Sequence, residues 1–323
     1  MKALLIVGLC VALLAGGLTY FEAGERVAPQ PSAQTVECEA PTLSSFDEKL
    51  QLLVENDGEI LSLSLQEYLM GVLLAEMSAD FPPEALKAQA VAARTFALKK
   101  AQSDRHSRAH ICTDPACCQG WEAIQNIPAA VRQAVEETDG LVLCYEDELI
   151  EATYFSCSGG RTEAAVAVWG QDIPYLRSVE SAGEEAAPRY EETLCVEKEA
   201  FKKTLLAAHP EANLTGSPEG WFGAVSYTEG GGIDSIFVGG TVLRGTELRK
   251  LFSLRSTDIS IRTTESQIFL TTQGFGHRVG MSQYGAKAMA EAGERFTDIL
   301  AHYYSQTRLK RLQTAEPVFL QGK

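Results

Sequence analysis

Positive charge is scarce in this 323-residue chain: 28 Lys and Arg stand against 43 Asp and Glu, a formal net charge of −15. So acidic a surface is poorly matched to nucleic acid or to an anionic membrane face, because like charges repel. A neutral or weakly charged substrate fits better. The chain also lacks internal repeats and low-complexity tracts. It has no regular alternation of strand and helix patterns, which favours an α+β fold over a doubly wound sheet. No G-x-S-x-G elbow is present, so a serine–histidine nucleophile has no support.

What is present is bulk and a distinct N-terminus. With 45% hydrophobic and 22% charged residues, the chain can bury a sizeable core. Ala3 to Phe21 carry no charge, with Lys2 before them and Glu22 and Glu25 after. As a helix that run comes close to the ~30 Å hydrocarbon core. The charge bias leaves the N-terminus in the cytoplasm and exports the rest of the chain. Residues 1–21 are therefore expected to be a transmembrane signal anchor. Small residues at Ala15, Gly16 and Gly17 make a cleaved signal peptide the alternative. Residues 22–44, with Pro29, Pro31 and Pro41, read as a flexible tether. Residues 45–312 form the expected catalytic body and residues 313–323 a tail.

Within the body, Ser64-Leu65-Gln66-Glu67 is a capping box that opens a helix reaching about Met77. Pro82 and Pro83 start a second, with Leu86, Ala90, Val91 and Leu98 on its apolar side. A short helix over 129–138 stops at the turn Asp139-Gly140. Leu141–Tyr145 and Leu149–Phe155 read as two strands around an acidic turn. Strands are expected at Ile233–Val238 and Ile259–Ile261. Helices are expected at Lys198–His209, from Gly245, at Ser282–Ala292 and at Thr297–Tyr304.

The first helix ends on Glu76, between apolar neighbours Leu73, Leu74 and Met77. An acid in such a setting stays protonated nearer neutrality, as a general acid must. The bland alternative is a solvated helix-end glutamate. The second helix carries Gln89 and Arg94. Arg94 lies among alanines and is expected to hold substrate or a neighbouring loop. A direct pair with Glu76 would lower the acid's pKa and oppose its role. No convincing second carboxylate is found; Asp80 and Glu84 are candidate helpers.

Three thiols and two imidazoles fall within His106–Cys118. Export favours disulfides, but this density favours a metal. His106, Cys112, Cys117 and Cys118 make a complete zinc set. His110 could replace Cys117, since adjacent ligands are sterically awkward, and a Cys112–Cys118 disulfide is the alternative. A site filled by four side chains leaves no position for water and is structural.

Several segments together resemble the SpoIID/LytB domain family. EYLMGVLLAEM and EALKAQAVAARTF (67–77 and 84–96) are similar to that family's xxYLxGVLxxEM and EALKAQAVAARTY. SGGRTE (158–163) is similar to its SGGxTE, and VWG (168–170) and PYL (174–176) match its own. GHRVGMSQYGA (276–286) is similar to GHGVGMSQYGA, with Arg278 in place of a glycine. Clostridial-type members bind zinc through a His, a Cys six residues on and a His-Cys pair; Cys117 stands here where they have His.

The resemblance implies a peptidoglycan lytic transglycosylase. It would cleave MurNAc–GlcNAc bonds in peptide-stripped glycan strands and leave 1,6-anhydro ends, with Glu76 as the acid/base. It implies a glycan cleft in an α+β body, in which bare backbone at Ser158, Gly159 and Gly160 admits a sugar ring. Gln89, Arg94, His277, Gln283 and Tyr284 would bind substrate. It further implies one structural zinc, a role in engulfment during sporulation, and a place in the mother-cell membrane at the septum. An amidase and a membrane scaffold would be partners. A non-catalytic enhancer of a partner amidase is the alternative within the family, and a zinc hydrolase with an open metal position is a third.

Overall fold

A computed structural model describes residues 45–312 apart from Asp104 and Ile124. The expected anchor, tether and tail lie outside the described residues. Among the described residues no helix is long and apolar enough to cross a membrane.

The chain opens with α1 (Phe46–Lys49), β1 (Gln51–Asn56) and β2 (Glu59–Ser64). β1 and β2 form an antiparallel hairpin. Ser64 then caps α2 (Leu65–Glu76): its Oγ accepts from the Glu67 N–H, and the Glu67 carboxylate returns to the Ser64 N–H at 2.8 Å. Pro83 opens α3 (Pro83–Ala101). Every position of α3 from Ala85 to Leu98 is buried except Lys87. The sequence suggests one apolar side, whereas α3 is the central helix, packed against α2 and later helices on several faces. Its alanines allow that close approach.

β3 (Ile111–Cys112) pairs in parallel with β1. α4 (Ala129–Glu137) leads into β4 (Leu141–Tyr145), β5 (Glu148–Leu149) and β6 (Tyr154–Phe155). The strand expected over Leu149–Phe155 is thus broken in two. Only its first residue, Leu149, pairs with β4. The rest turns away to run parallel to Met281–Ser282, which brings Tyr154 and Phe155 to the loop that carries His277. The short α5 (Ala165–Trp169) comes next.

A second apolar core is built within residues 191–273. β7 (Glu191–Glu197) is followed by α6 (Lys198–Ala208). Then come β8 (Phe222–Tyr227), β9 (Ile233–Val238), β10 (Thr241–Arg244), α7 (Gly245–Leu251), β11 (Asp258–Thr263) and β12 (Gln267–Gln273). Two antiparallel three-stranded sheets, β10-β9-β8 and β11-β12-β7, enclose Phe201, which stacks on Phe252 at 4.6 Å. The chain returns to the first core through β13 (Met281–Ser282), α8 (Gln283–Glu291), α9 (Phe296–Tyr303) and β14 (Arg308–Arg311). The architecture is α+β, with largely antiparallel sheets.

Arg278 ties the second core to the first. It is fully buried and has φ 65°, a left-handed backbone that disfavours side chains with a Cβ. Glycine would fit without strain, yet the guanidinium is held from every side. It donates to the carbonyls of Ser158 at 2.6 Å, Arg161 at 3.0 Å and Gly230 at 2.6 Å, and pairs with Glu163 at 3.4 Å. These charge-assisted bonds offset the backbone strain.

Candidate functional site

A cleft of about 860 Å³ opens beside the end of α2. Glu76 lines it, together with Gln119, Tyr154, Trp169, His277 and Gln283. Glu76 is the last residue of α2, so its side chain leaves the apolar helix where the chain turns away. Gln283 Nε2 donates to Glu76 Oε2 at 3.3 Å. The Gly120 N–H also bonds the carboxylate, and a Cβ at position 120 would lie 3.2 Å from Oε1. Burial pushes the Glu76 pKa up against these two bonds. The result is an acid that holds its proton beyond the ordinary glutamate range while open to the cleft.

Part of the cleft lining is fixed by a chain of hydrogen bonds. Tyr68 Oη donates to Gln119 Oε1 at 3.2 Å, and Gln119 Nε2 donates to Tyr154 Oη at 2.8 Å. His277 lies between Phe155 and Trp169, with ring centroids at 5.6 and 5.5 Å. Its Nδ1 accepts from the Val279 N–H at 3.1 Å. Burial, and then the Arg249 charge, push its pKa down to about 4. It is therefore a neutral hydrogen-bonding ring near pH 7, not a proton carrier. Trp169 is 41% exposed, and offers an open aromatic face to the cleft.

Other residues expected at the site lie elsewhere. Arg94 is fully buried, and its Nη2 reaches Asp47 Oδ2 at 2.5 Å. It also donates to the carbonyls of Val135 at 3.3 Å and Leu141 at 3.2 Å. It thus holds neighbouring segments and cannot touch substrate, because α3 is enclosed. Gln89 is likewise fully buried and does not line the cleft. Neither of its amide atoms has a hydrogen-bond partner among the described residues.

Ser158, Gly159 and Gly160 are not in the cleft either. The backbone N–H groups of Ser158 and Gly159 donate to Glu184 Oε2 at 2.7 and 3.0 Å, as does Ser158 Oγ at 2.8 Å. The glycine loop wraps an internal carboxylate. Tyr284 packs edge-on against Phe81 at 5.2 Å, outside the cleft lining. Asp80 and Glu84 do not line the cleft, and Glu84 accepts from the Phe296 N–H at 2.7 Å.

His106, Cys112, Cys117 and Cys118 converge, their ligating atoms all within 4.8 Å of one another. His106 Nε2 is 3.3 Å from Cys118 Sγ and 3.7 Å from Cys117 Sγ, and the two sulfurs are 3.9 Å apart. Tetrahedral zinc sets ligand atoms roughly 3.5–3.8 Å apart, so this set fits a metal ion. Adjacent Cys117 and Cys118 both reach the group because their N–H groups donate to the Asp114 carbonyl at 3.0 and 2.8 Å, a tight turn that gathers the thiols. All three thiols are free, with no disulfide. His110 is not in the group: its Nδ1 accepts from the Leu53 N–H at 2.9 Å. Glu55 Oε2 lies 3.7 Å from His106 Nδ1, on the side where an outer-sphere partner of a ligating imidazole would stand.

Cys117 and Cys118 of this group themselves line the cleft. Cys118 precedes Gln119 and Gly120, both of which act in the cleft. Trp121 packs against Gly71 of α2, where any side chain would collide with the indole. Gln119 and Tyr154 are not named as site residues on sequence alone, and Trp169 enters there only within the family-like VWG (168–170). For Gln119 the signal is its position next to the candidate metal cluster.

The sequence model of the stage II sporulation protein family matches residues 55–145. Stage II sporulation protein D of Bacillus amyloliquefaciens is 33% identical over 326 aligned positions, covering 93% of this chain and 93% of that protein. Stage II sporulation protein D of Bacillus subtilis (strain 168) is 32% identical, covering 89% of this chain and 87% of that protein. The Amidase enhancer of Bacillus subtilis (strain 168) is 29% identical over 75% of this chain but only 40% of its own length.

Proposed function

The chain belongs to the stage II sporulation protein D family, and from that premise we propose that it is a peptidoglycan lytic transglycosylase of sporulation. The observation that carries this reading is a single proton-holding carboxylate in the cleft. Glu76 protonates the glycosidic oxygen between MurNAc and GlcNAc. It then takes the proton from the muramoyl 6-hydroxyl as that oxygen attacks C1 and closes the 1,6-anhydro ring. One acid/base suffices for this sequence, whereas ordinary glycoside hydrolysis uses two carboxylates. The other carboxylate lining the cleft, Glu151, is paired with Lys100 at 3.0 Å. Trp169 and His277 supply an aromatic face for a sugar ring.

His106, Cys112, Cys117 and Cys118 would hold one zinc, whose chemistry here is that of a structural tie. These residues fix the turn that presents Gln119 and the Gly120 N–H to Glu76. The chain itself is proposed to be anchored by residues 1–21 with its body outside the cytoplasm, in the mother-cell membrane at the septum. Protease added to intact protoplasts should then digest the body, and full protection would overturn that topology. An amidase and a membrane scaffold are the proposed partners.

A second reading is a glycan-binding enhancer of an amidase, favoured by the similarity to the Amidase enhancer. Mass analysis of products from peptide-stripped strands separates the two. Anhydro ends, one water lighter than reducing ends, support cleavage by ring closure; intact strands support the enhancer.

A further inference from the structure

Lys100 is the one cation among the residues that line the main cleft. Past Lys100 and Glu151 the cleft continues into a smaller depression of about 370 Å³, lined by Lys99, Lys100, Gln102, Ser103, Arg105 and Glu151. Among the described residues that line it, three cations stand beside one carboxylate, with Glu148 next to Lys99, on a chain whose net charge is −15. Lys100 projects from the last turn of α3, with its ammonium 5.0 Å from the Phe96 ring and 3.0 Å from Glu151. Lys99 is 4.0 Å from Glu148. Arg105 is exposed, and it forms no ion pair among the described residues.

We propose that this cationic end of the cleft is a subsite for the free lactyl carboxylate of peptide-stripped muramoyl residues. The proposal rests on the glycan-cleaving reading and names how that substrate is distinguished. While a stem peptide is attached, the lactyl carboxyl is a neutral amide. Its removal leaves one negative charge on every muramoyl residue. A strand running through the cleft from Glu76 past Tyr154 and Phe96 meets Lys100 and then Arg105. An acidic protein would otherwise repel such a strand. Lys100 pairs with the incoming carboxylate in competition with Glu151, and Arg105 can take one in bidentate fashion. An attached peptide would present neither the charge nor the room.

Partly exposed ion pairs contribute about 1.4-fold to 5-fold each, so two together give about twofold to 25-fold in affinity. The experiment measures binding of the full-length Glu76→Gln protein to two glycan preparations. One is peptide-stripped strands with free carboxylates; the other is the same strands with the carboxylates capped as methyl amides. The free strands should bind about twofold to 25-fold tighter, and Lys100→Gln with Arg105→Gln should bring that ratio close to one. High salt should erode the preference in the same direction. Glu151→Gln, which removes the competitor, should enlarge it.

Equal binding of the two strands by the unaltered site would overturn the proposal. So would a preference that survives loss of both cations. Should Lys100→Gln fail to fold, Arg105→Gln alone decides, since its side chain lies on the surface and must still lower the ratio. Failure of the wild type to cut either strand sinks the cleavage reading, while the binding ratio still judges the subsite.

Discussion

Glu76→Gln isolates the proton from the shape. The carboxylate now accepts from two donors, Gln283 Nε2 at 3.3 Å and the Gly120 N–H. A glutamine offers one acceptor and would turn its own NH₂ toward the other donor. One hydrogen bond is lost, a cost of about 1 kcal/mol. Against it stands the relief of burying an ion. The Glu76 pKa is raised by burial, so the folded state binds its proton more readily than the unfolded chain. That contribution to stability is fully present in acid and is lost as pH rises through the raised value. The variant escapes this loss. Its melting point relative to wild type should therefore improve as pH rises across that window. Turnover on peptide-stripped strands should fall by about 10²- to 10⁴-fold, the worth of general acid–base catalysis, while glycan binding stays within a few-fold of wild type by direct titration, roughly one hydrogen bond's worth. Normal turnover by a folded, metal-loaded variant would remove Glu76 from the mechanism. Reducing ends from the wild type would keep Glu76 and replace ring closure by hydrolysis.

Gln283→Ala removes a bond that lowers the Glu76 pKa, so the alkaline limb of the rate profile should move to higher pH; a limb that stays in place would separate Gln283 from the acid. Arg94→Ala leaves Asp47, 1% exposed, without its cation, and should cost about 3–5 kcal/mol in denaturant unfolding. Glycan affinity of the fraction that folds should be unchanged, and a selective loss of affinity would return Arg94 to the binding machinery. Elemental analysis should give about one zinc per chain, as one four-ligand site requires. Chelation or Cys118→Ser should lower the melting temperature, whereas His110→Gln should leave the zinc content intact.

The sequence by itself determined what depends on a few neighbouring residues. The Ser64–Glu67 capping box and Pro83 placed the starts of α2 and α3, because caps act within one turn. That put Glu76 at a helix end among apolar side chains. The spacing of His106, Cys112, Cys117 and Cys118 held enough ligands for a metal in one loop. Tertiary structure decided everything that turned on a distant partner. Arg94 finds Asp47 in α1, and Ser158 and Gly159 close on Glu184, so residues that looked available for substrate are spent internally. His110 bonds Leu53 of β1 and stays out of the candidate metal group, which takes in both adjacent cysteines instead. The strand expected from Leu149 breaks where Tyr154 and Phe155 leave to pair with Met281–Ser282. No local pattern encodes that choice. A side chain's type and its neighbours in sequence set its chemistry, but whether that chemistry faces a cleft or a buried counter-charge is fixed only when remote segments pack.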